Sequence, residues 1–318
     1  SALADVGGLG NIEIQAMKEQ GYDPDVATAI TVASATIGPT FPPSIPLLVY
    51  ASVAETSGVA CLLSGVIPGL LLTAILMLQV AYMAKKYNYP SETKKYSLKE
   101  ALKIFVQAFP AILAPLILLS GLLGGYFGPT EIGAFAAFYA IIVGRFIYKE
   151  LSRERFKEMA LESLYSTATI MIVIASAAIF AWVLTVEQLP LTLTKLLLDF
   201  SKSPVVLLLM TNVILLLAGM FLETTAAILV FTPLLTPTLF AVGVDPIHLG
   251  MIIVFNLMIG LMTPPVGMSL YMASVVANRP LEKVLKALMP YFISLMITLL
   301  LITFVPGLST WLPSIVLR

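Results

Sequence analysis

Residues 21–53 read GYDPDVATAITVASATIGPTFPPSIPLLVYASV, and residues 243–275 read GVDPIHLGMIIVFNLMIGLMTPPVGMSLYMASV. At a constant offset of 222 the two stretches share 13 identities over 33 positions without a gap. The identities include a Gly-x-Asp-Pro turn at each start, an Ile-Gly pair (Ile37-Gly38 and Ile259-Gly260) and a Pro-Pro pair (Pro42-Pro43 and Pro264-Pro265). Shared apolar bias alone does not align two Asp-Pro turns and two Pro-Pro breaks, so this is an internal repeat. Pro39, Pro42 and Pro43 each lack an amide donor and disfavour helix in the preceding residue, so the apolar helix predicted here unwinds near its middle. The second copy is built alike over residues 260–267.

Composition places both copies in a membrane. The chain has 318 residues, 59% of them hydrophobic and 11% charged, against about a quarter charged in soluble domains. Mean hydropathy is +0.97. Formal net charge is zero, which removes the electrostatic case for a nucleic-acid partner. One cysteine, Cys61, and one histidine, His248, exclude an internal disulfide and multi-histidine metal sites. No initiator Met and no signal-peptide pattern opens the sequence, and Ser1 reads as interior to a longer chain. The expected fold is an all-α polytopic membrane protein.

A spanning helix needs about 20 mostly apolar residues, which predicts crossings near 26–56 (interrupted), 66–84, 104–125, 131–148, 164–186, 247–277 (interrupted) and 288–306. Residues 203–241 hold two apolar arms broken at Leu222-Glu223-Thr224-Thr225, and residues 1–17 resemble the return arm of a similar hairpin; both suit re-entrant elements. Fifteen of the 18 Lys and Arg residues fall in loops on one face, the cytoplasmic one. Only Lys195, Lys202 and Arg318 fall on the other, which puts the C-terminus outside. The amphipathic stretches beginning at Leu98 and Leu281 are expected to lie in the interface plane. Four crossings and a hairpin separate the repeats, so the second copy runs in the opposite direction. Inverted repeats with interrupted helices are how secondary transporters build substrate and ion sites near the midplane.

Unwound backbone at membrane depth is tolerated only inside protein or against a cavity. The freed carbonyls, with the hydroxyls of Thr40, Ser44 and Thr263, suit a hard monovalent cation, and the half-helix N-termini suit a carboxylate. A single break reads equally well as a proline kink; the inverted duplication favours a site. Ionisable groups in membrane segments are candidate functional residues, which marks Asp5 and Glu223 at the two hairpin tips. Glu131 reads better as a helix N-terminal charge in the outer interface. Asn256, one turn before the second break, either orients unwound backbone or bonds a neighbouring helix. His248 is expected at the outer surface, and Trp182 and Trp311 read as interface anchors. No catalytic constellation and no phosphate-cradling loop is present, so the chain reads as a non-enzyme driven by an ion gradient or another external source.

Taken together, Ala4-Asp5 through Gly10, Gly21-Tyr22-Asp23-Pro24, Ala35 through Pro39, Pro42 through Pro46, Gly65-Val66-Ile67-Pro68-Gly69, Pro129-Thr130-Glu131, Gly219 through Thr225 and Gly260 through Gly267 resemble the large membrane subunit of tripartite ATP-independent periplasmic (TRAP) transporters. The resemblance runs along the whole chain, and the family has further helices before the position of Ser1. It implies sodium-driven import of an organic acid such as a C4-dicarboxylate or sialic acid. It also implies a periplasmic substrate-binding protein and a small membrane subunit as partners, a bacterial or archaeal cytoplasmic membrane, and no cofactor beyond Na+ as coupling ion. In an elevator mechanism of this kind, residues 1–57 and 203–278 form the transport domain, 58–202 mainly scaffold helices, and 279–318 a C-terminal interfacial and transmembrane helix. Carried over residue by residue, one sodium site involves Ser1, Gly38 and Thr40, and the other Thr224, Thr225, Gly260, Thr263 and Gly267. Asp5, Ser44, Glu223 and Asn256 are the substrate candidates. A one-component sodium/dicarboxylate carrier is the alternative with the same repeat logic; an intramembrane enzyme or channel fits less well.

Overall fold

The computed structural model describes residues 2–90, 97–123 and 127–317. Ser1, Lys94, Lys95 and Arg318 therefore lie outside the described residues. The chain divides into two compact units, Ser1–Ser91 with Ile174–Arg318, and Glu92–Val173.

The first unit holds both repeats. Short helices α1 (Ala2–Gly7) and α2 (Leu9–Glu19) form the expected return arm and lead into the first broken helix, α3 (Pro24–Ser34), α4 (Ile37–Thr40) and α5 (Ile45–Val53). The Gly-x-Asp-Pro turn explains the entry. Gly21 takes φ +91°, which a side chain would disfavour. The Asp23 carboxylate caps α3 by accepting from the amides of Asp25 and Val26, and Pro24 fills the first helical position, where no donor is needed. Two further helices follow, α6 (Gly58–Ser64) and the spanning α7 (Val66–Tyr87).

The other unit holds α8 (Leu98–Leu123), α9 (Pro129–Ile142), which ends in a π-helical turn, and the start of α10 (Arg153–Val186). Tyr139 and Tyr148 donate their hydroxyls to the carbonyls of Pro110 and Gln107, pinning α9 and its π turn against α8. Glu131 is exposed and its carboxylate accepts the Gly128 amide, a cap on α9 as the sequence suggests.

Back in the first unit, α11 (Leu189–Phe200) precedes the outer hairpin of α12 (Pro204–Gly219) and α13 (Thr224–Ala241), then the second broken helix, α14 (Pro246–Gly260) and α15 (Met268–Ala277), and finally α16 (Leu281–Phe304) and α17 (Gly307–Val316). The entry to α14 repeats that to α3: Gly243 takes φ +85°, and Asp245 accepts from the amides of Ile247 and His248.

The direction of the repeats can be read from their ends. Tyr50, near the end of the first broken helix, donates its hydroxyl to the Pro246 carbonyl at the start of the second (2.7 Å). Asp25, at the start of the first, pairs with Arg279, just beyond the end of the second. Start meets end twice, so the two broken helices run antiparallel and the repeat is inverted.

Two sequence expectations are corrected. The stretches beginning at Leu98 and Leu281 are not separate interfacial helices; they are the first turns of α8 and α16, which continue without interruption. Val284 and Leu288 are buried rather than set against headgroups, because α16 packs along α3 and α14 inside the protein. The helices α11 and α17 were not foreseen, being too short for a hydropathy criterion based on spanning. Among the described residues six helices are long and apolar enough to cross a bilayer, seven if the bent pair Pro24–Thr40 and Ile45–Val53 counts as one span. At 15 and 10 residues, α14 and α15 each fall short of that length.

Candidate functional site

The first break lies between α4 and α5. Its hydroxyls turn back on their own chain: Thr36 donates to the Ala33 carbonyl (2.7 Å), Thr40 to the Thr36 carbonyl (2.8 Å), and Ser44 to the Pro39 carbonyl. All three side chains are fully buried. Ser44 also caps α5 by accepting the Leu47 amide (3.2 Å). Gly38 is exposed and faces Asp5: a Cβ built on Gly38 would sit 2.8 Å from Asp5 Oδ2. The structure thus brings Asp5, Gly38, Thr40 and Ser44 to one break, with the hairpin arm supplying the carboxylate. The Gly65-Val66-Ile67-Pro68-Gly69 stretch is packed onto this break from α7. A Cβ on Gly65 would lie 2.1 Å from the Thr40 carbonyl oxygen, and one on Gly69 would lie 2.9 Å from the Phe41 ring.

The second break spans residues 261–267. Thr263 donates to the Ile259 carbonyl (2.7 Å), the same back-bond that Thr40 makes. Gly267 takes φ +54° to start α15, and its amide donates to the Met220 carbonyl in the turn of the outer hairpin (3.2 Å). Ser269 sends its amide across the break to the Leu261 carbonyl (2.9 Å). Pro264, Pro265 and Val266 are exposed between buried Thr263 and buried Gly267. Both Pro-Pro bonds, 42–43 and 264–265, are cis.

The hairpin tip meets this break through glycine. A Cβ on Gly260 would fall 2.6 Å from the Gly219 Cα, so α12 and α14 touch backbone to backbone. Beyond the tip, Glu223 caps α13: its carboxylate accepts the amides of Thr225 (2.7 Å) and Ala226 (3.2 Å) and the Thr225 hydroxyl (3.2 Å). The positive end of α13 is thereby answered by the protein's own anion. Thr224, Thr225, Gly260, Thr263 and Gly267 are all buried in this region. Four polar atoms buried in these elements lack a hydrogen-bond partner, Thr224 Oγ1 and Thr232 Oγ1 in α13, Asn256 Oδ1 in α14 and Ser269 Oγ in α15. A cation approaching the break finds backbone carbonyls and uncommitted oxygens, the donor set that hard monovalent ions take.

Asn256 bonds a neighbouring helix, the second of the two roles open to it in the sequence. Its amide donates to Asn212 Oδ1 (2.9 Å) and to the Asn212 carbonyl (3.0 Å), and Asn212 donates onward to Thr303 Oγ1 (3.0 Å). His248 is a correction: instead of facing the outer surface it is 2% exposed, with Nε2 2.9 Å from the Ile302 carbonyl. α14 is enclosed along its length, with every residue from His248 to Gly260 buried, so the loop proximity that suggests exposure is overridden by packing. Gly65 was marked only as part of the family resemblance, and the partners Asn212, Thr303 and Tyr50 were not foreseen. The only available signal was the isolated Asn212 in an apolar run, which in a membrane asks for a partner.

Antiparallel broken helices, each served by a hairpin and packed with the long apolar helices α7, α13 and α16, define a multi-pass membrane protein of the inverted-repeat transporter class. Over residues 1–308 the chain matches the family described as "Tripartite ATP-independent periplasmic transporter, DctM component". It is 39% identical over 317 residues to the sialic acid TRAP transporter large permease protein SiaM of Vibrio cholerae, covering all of this chain and 74% of that protein. Similarity to the C4-dicarboxylate TRAP transporter large permease protein DctM of Pseudomonas aeruginosa is 38% identity over 314 residues, 99% of this chain and 73% of the relative. For the sialic acid TRAP transporter permease protein SiaT of Haemophilus influenzae it is 37%, over 100% of this chain and 51% of the relative. The chain spans about three quarters of the length of the first two relatives and about half of the third. It belongs to the TRAP large-permease family, and is a transporter permease component rather than an enzyme, integral to the inner membrane.

Proposed function

We propose that this chain couples inward sodium flux to uptake of an organic acid, a C4-dicarboxylate, sialic acid or a related carboxylate, handed over by a periplasmic binding protein and moved with the help of a small membrane subunit. The observation that carries this reading is the pair of helix breaks, holding buried Thr40, Ser44 and Thr263 and set antiparallel, in a permease of this family. Sodium sites at Gly38 and Thr40 with Ser1, and at Thr224, Thr225, Gly260, Thr263 and Gly267, draw on the carbonyls and hydroxyls freed there. Asp5 and Ser44 at the first break, and Glu223 and Asn256 at the second, are the residues proposed to orient substrate, Asn256 and Glu223 by holding the elements they cap or bridge. One charge crossing 100 mV releases about 2.3 kcal/mol, so co-transported sodium supplies the work of concentrating an anion. Residues 1–57 and 203–278 are proposed to move together as the transport domain of an elevator against residues 58–202.

The test is uptake of radiolabelled succinate and sialic acid by proteoliposomes holding the intact permease, with and without a sodium gradient, a matched binding protein and the small subunit. Uptake that needs all three supports the proposal. Uptake needing sodium alone assigns a one-component carrier, and uptake indifferent to sodium removes the ion sites.

A further inference from the structure

Four arginines precede Arg318, and three of them, Arg145, Arg153 and Arg155, lie near the junction of the π turn with α10. Arg279 differs. It follows the end of α15 and grips the carboxylate of Asp25 with both prongs of its fork, Nε to Oδ1 (2.5 Å) and Nη2 to Oδ2 (2.9 Å). This is the one ion pair among the described residues, and it joins positions 254 apart, one in the first repeat and one just past the end of the second. Its backbone is held as well. Asn278 takes a left-handed φ of 53°, the Arg279 amide donates to the Ser274 carbonyl (2.9 Å), and the Ser274 hydroxyl donates to the Arg279 carbonyl (2.6 Å). Lys18 adds a second cation, donating to the Ala277 carbonyl at the C-terminus of α15 (3.3 Å). Cations therefore meet the negative end of α15, and an acid sits in the first turn of α3, where each is favoured by the helix dipole.

At the far end of the same two broken helices, Tyr50 makes the related contact without charge. Its hydroxyl bonds the Pro246 carbonyl, and its buried ring fills the space beside Gly250, where a Cβ would lie 2.3 Å from Cε1. One helix pair is thus fastened at both ends, by an ion pair at one and by an aromatic side chain at the other. Arg in place of Lys suits a fastening, because its planar fork holds a carboxylate in one orientation.

We infer that Asp25 and Arg279 are positioning residues whose pair stays closed throughout the transport cycle, holding the first break in fixed register with the second so that the two sites move as one. The inference rests on the transport reading above. It differs from a gate, in which the same pair would part during each cycle.

Reconstituted permease with Cys61→Ala as background and the Asp25→Cys/Arg279→Cys pair tests it. The unlinked double cysteine is expected to lose about tenfold in sodium-driven uptake, the size of a lost 1.4 kcal/mol coupling. Bridging the two thiols with a short homobifunctional reagent is expected to restore most of the loss. If bridging instead abolishes the residual uptake, the pair opens in the cycle and the inference fails. The reversed pair, Asp25→Arg/Arg279→Asp, is expected to transport better than either single reversal, and equal failure of all three overturns it too. Thermal unfolding of the same set in detergent reads the pair without transport: a double-mutant coupling indistinguishable from zero removes the fastening. Wild-type permease that shows no sodium-driven uptake while this coupling persists overturns the transport reading and not the contact.

Discussion

The two breaks share a backbone design and differ in how far their polar atoms are satisfied. Around the first, the hydroxyls of Thr36, Thr40 and Ser44 are all spent on carbonyls of the same turn, α7 seals the Thr40 carbonyl with Gly65, and an unmatched buried hydroxyl, Thr31 Oγ1, lies further back in α3. Around the second, Thr224 Oγ1, Ser269 Oγ and Asn256 Oδ1 are buried without partners, and the hairpin turn is bonded directly to the break through Met220 and Gly267. An unmatched buried polar group costs about 1–3 kcal/mol, so the second break carries a cost that the first does not. What the copies share is geometry: the positive-φ glycines, the Asp caps and the paired prolines. What they do not share is chemistry, since at the common offset Thr40 faces Met262, Ser44 faces Val266, Ser34 faces Asn256 and Asp25 faces Ile247. The duplication supplied two frames, and side chains were fitted to each separately.

That contrast is most sharply tested at the paired glycines. Gly260→Ala drives a methyl into the backbone of Gly219 and is expected to cost 1–3 kcal/mol or more of overpacking, seen as a lower unfolding midpoint and loss of monodisperse protein in detergent. Gly38→Ala meets only the end of the Asp5 side chain, which can rotate away, so a much smaller shift is expected. Equal effects at the two would mean that the hairpins dock on their breaks in the same way. Asn256→Ala, which strips two hydrogen bonds from Asn212, is expected to destabilise by about 1–3 kcal/mol. Its counterpart Ser34→Ala is expected to cost about 0.5 kcal/mol, because the partly exposed hydroxyl it removes only reaches a carbonyl of its own helix.

The frame is legible in the sequence alone, and the side-chain chemistry only in part. Pro42-Pro43 and Pro264-Pro265 announce breaks because proline acts locally, and Asp23 and Asp245 announce caps for the same reason. Partnerships across long separations, such as Asn256 with Asn212 or Asp25 with Arg279, leave no local trace. Closeness to the Asp245-Pro246 turn also misplaced His248, since position beside a loop does not show which neighbouring helices cover a side chain.

Two smaller effects bear on the comparison. Thr263→Val keeps the volume of the side chain but deletes an oxygen at the second break. It is expected to raise the sodium concentration for half-maximal uptake about tenfold, whereas Thr40→Val, in a turn sealed by Gly65, is expected to shift that concentration less; each loses an equivalent back-bond, so both are expected to cost about 0.5–1.5 kcal/mol in stability. The reverse ranking would make the first break the more responsive ion site. Tyr50→Phe, removing only the hydroxyl that reaches Pro246, is expected to lower stability by about 0.5–1.5 kcal/mol in the same unfolding assay.

The enclosure of α14 bears on how the protein enters the membrane. At 15 residues it is about 22 Å long, short of a hydrocarbon core of about 30 Å. From His248 to Gly260 it presents no side to lipid. Its neighbours in the folded protein include α12, made before it, and α16, made after it. The packing around α14 is therefore complete only once α16 has been synthesised and has docked. The centre of the second repeat is thus completed late in biogenesis, from both sides of the chain.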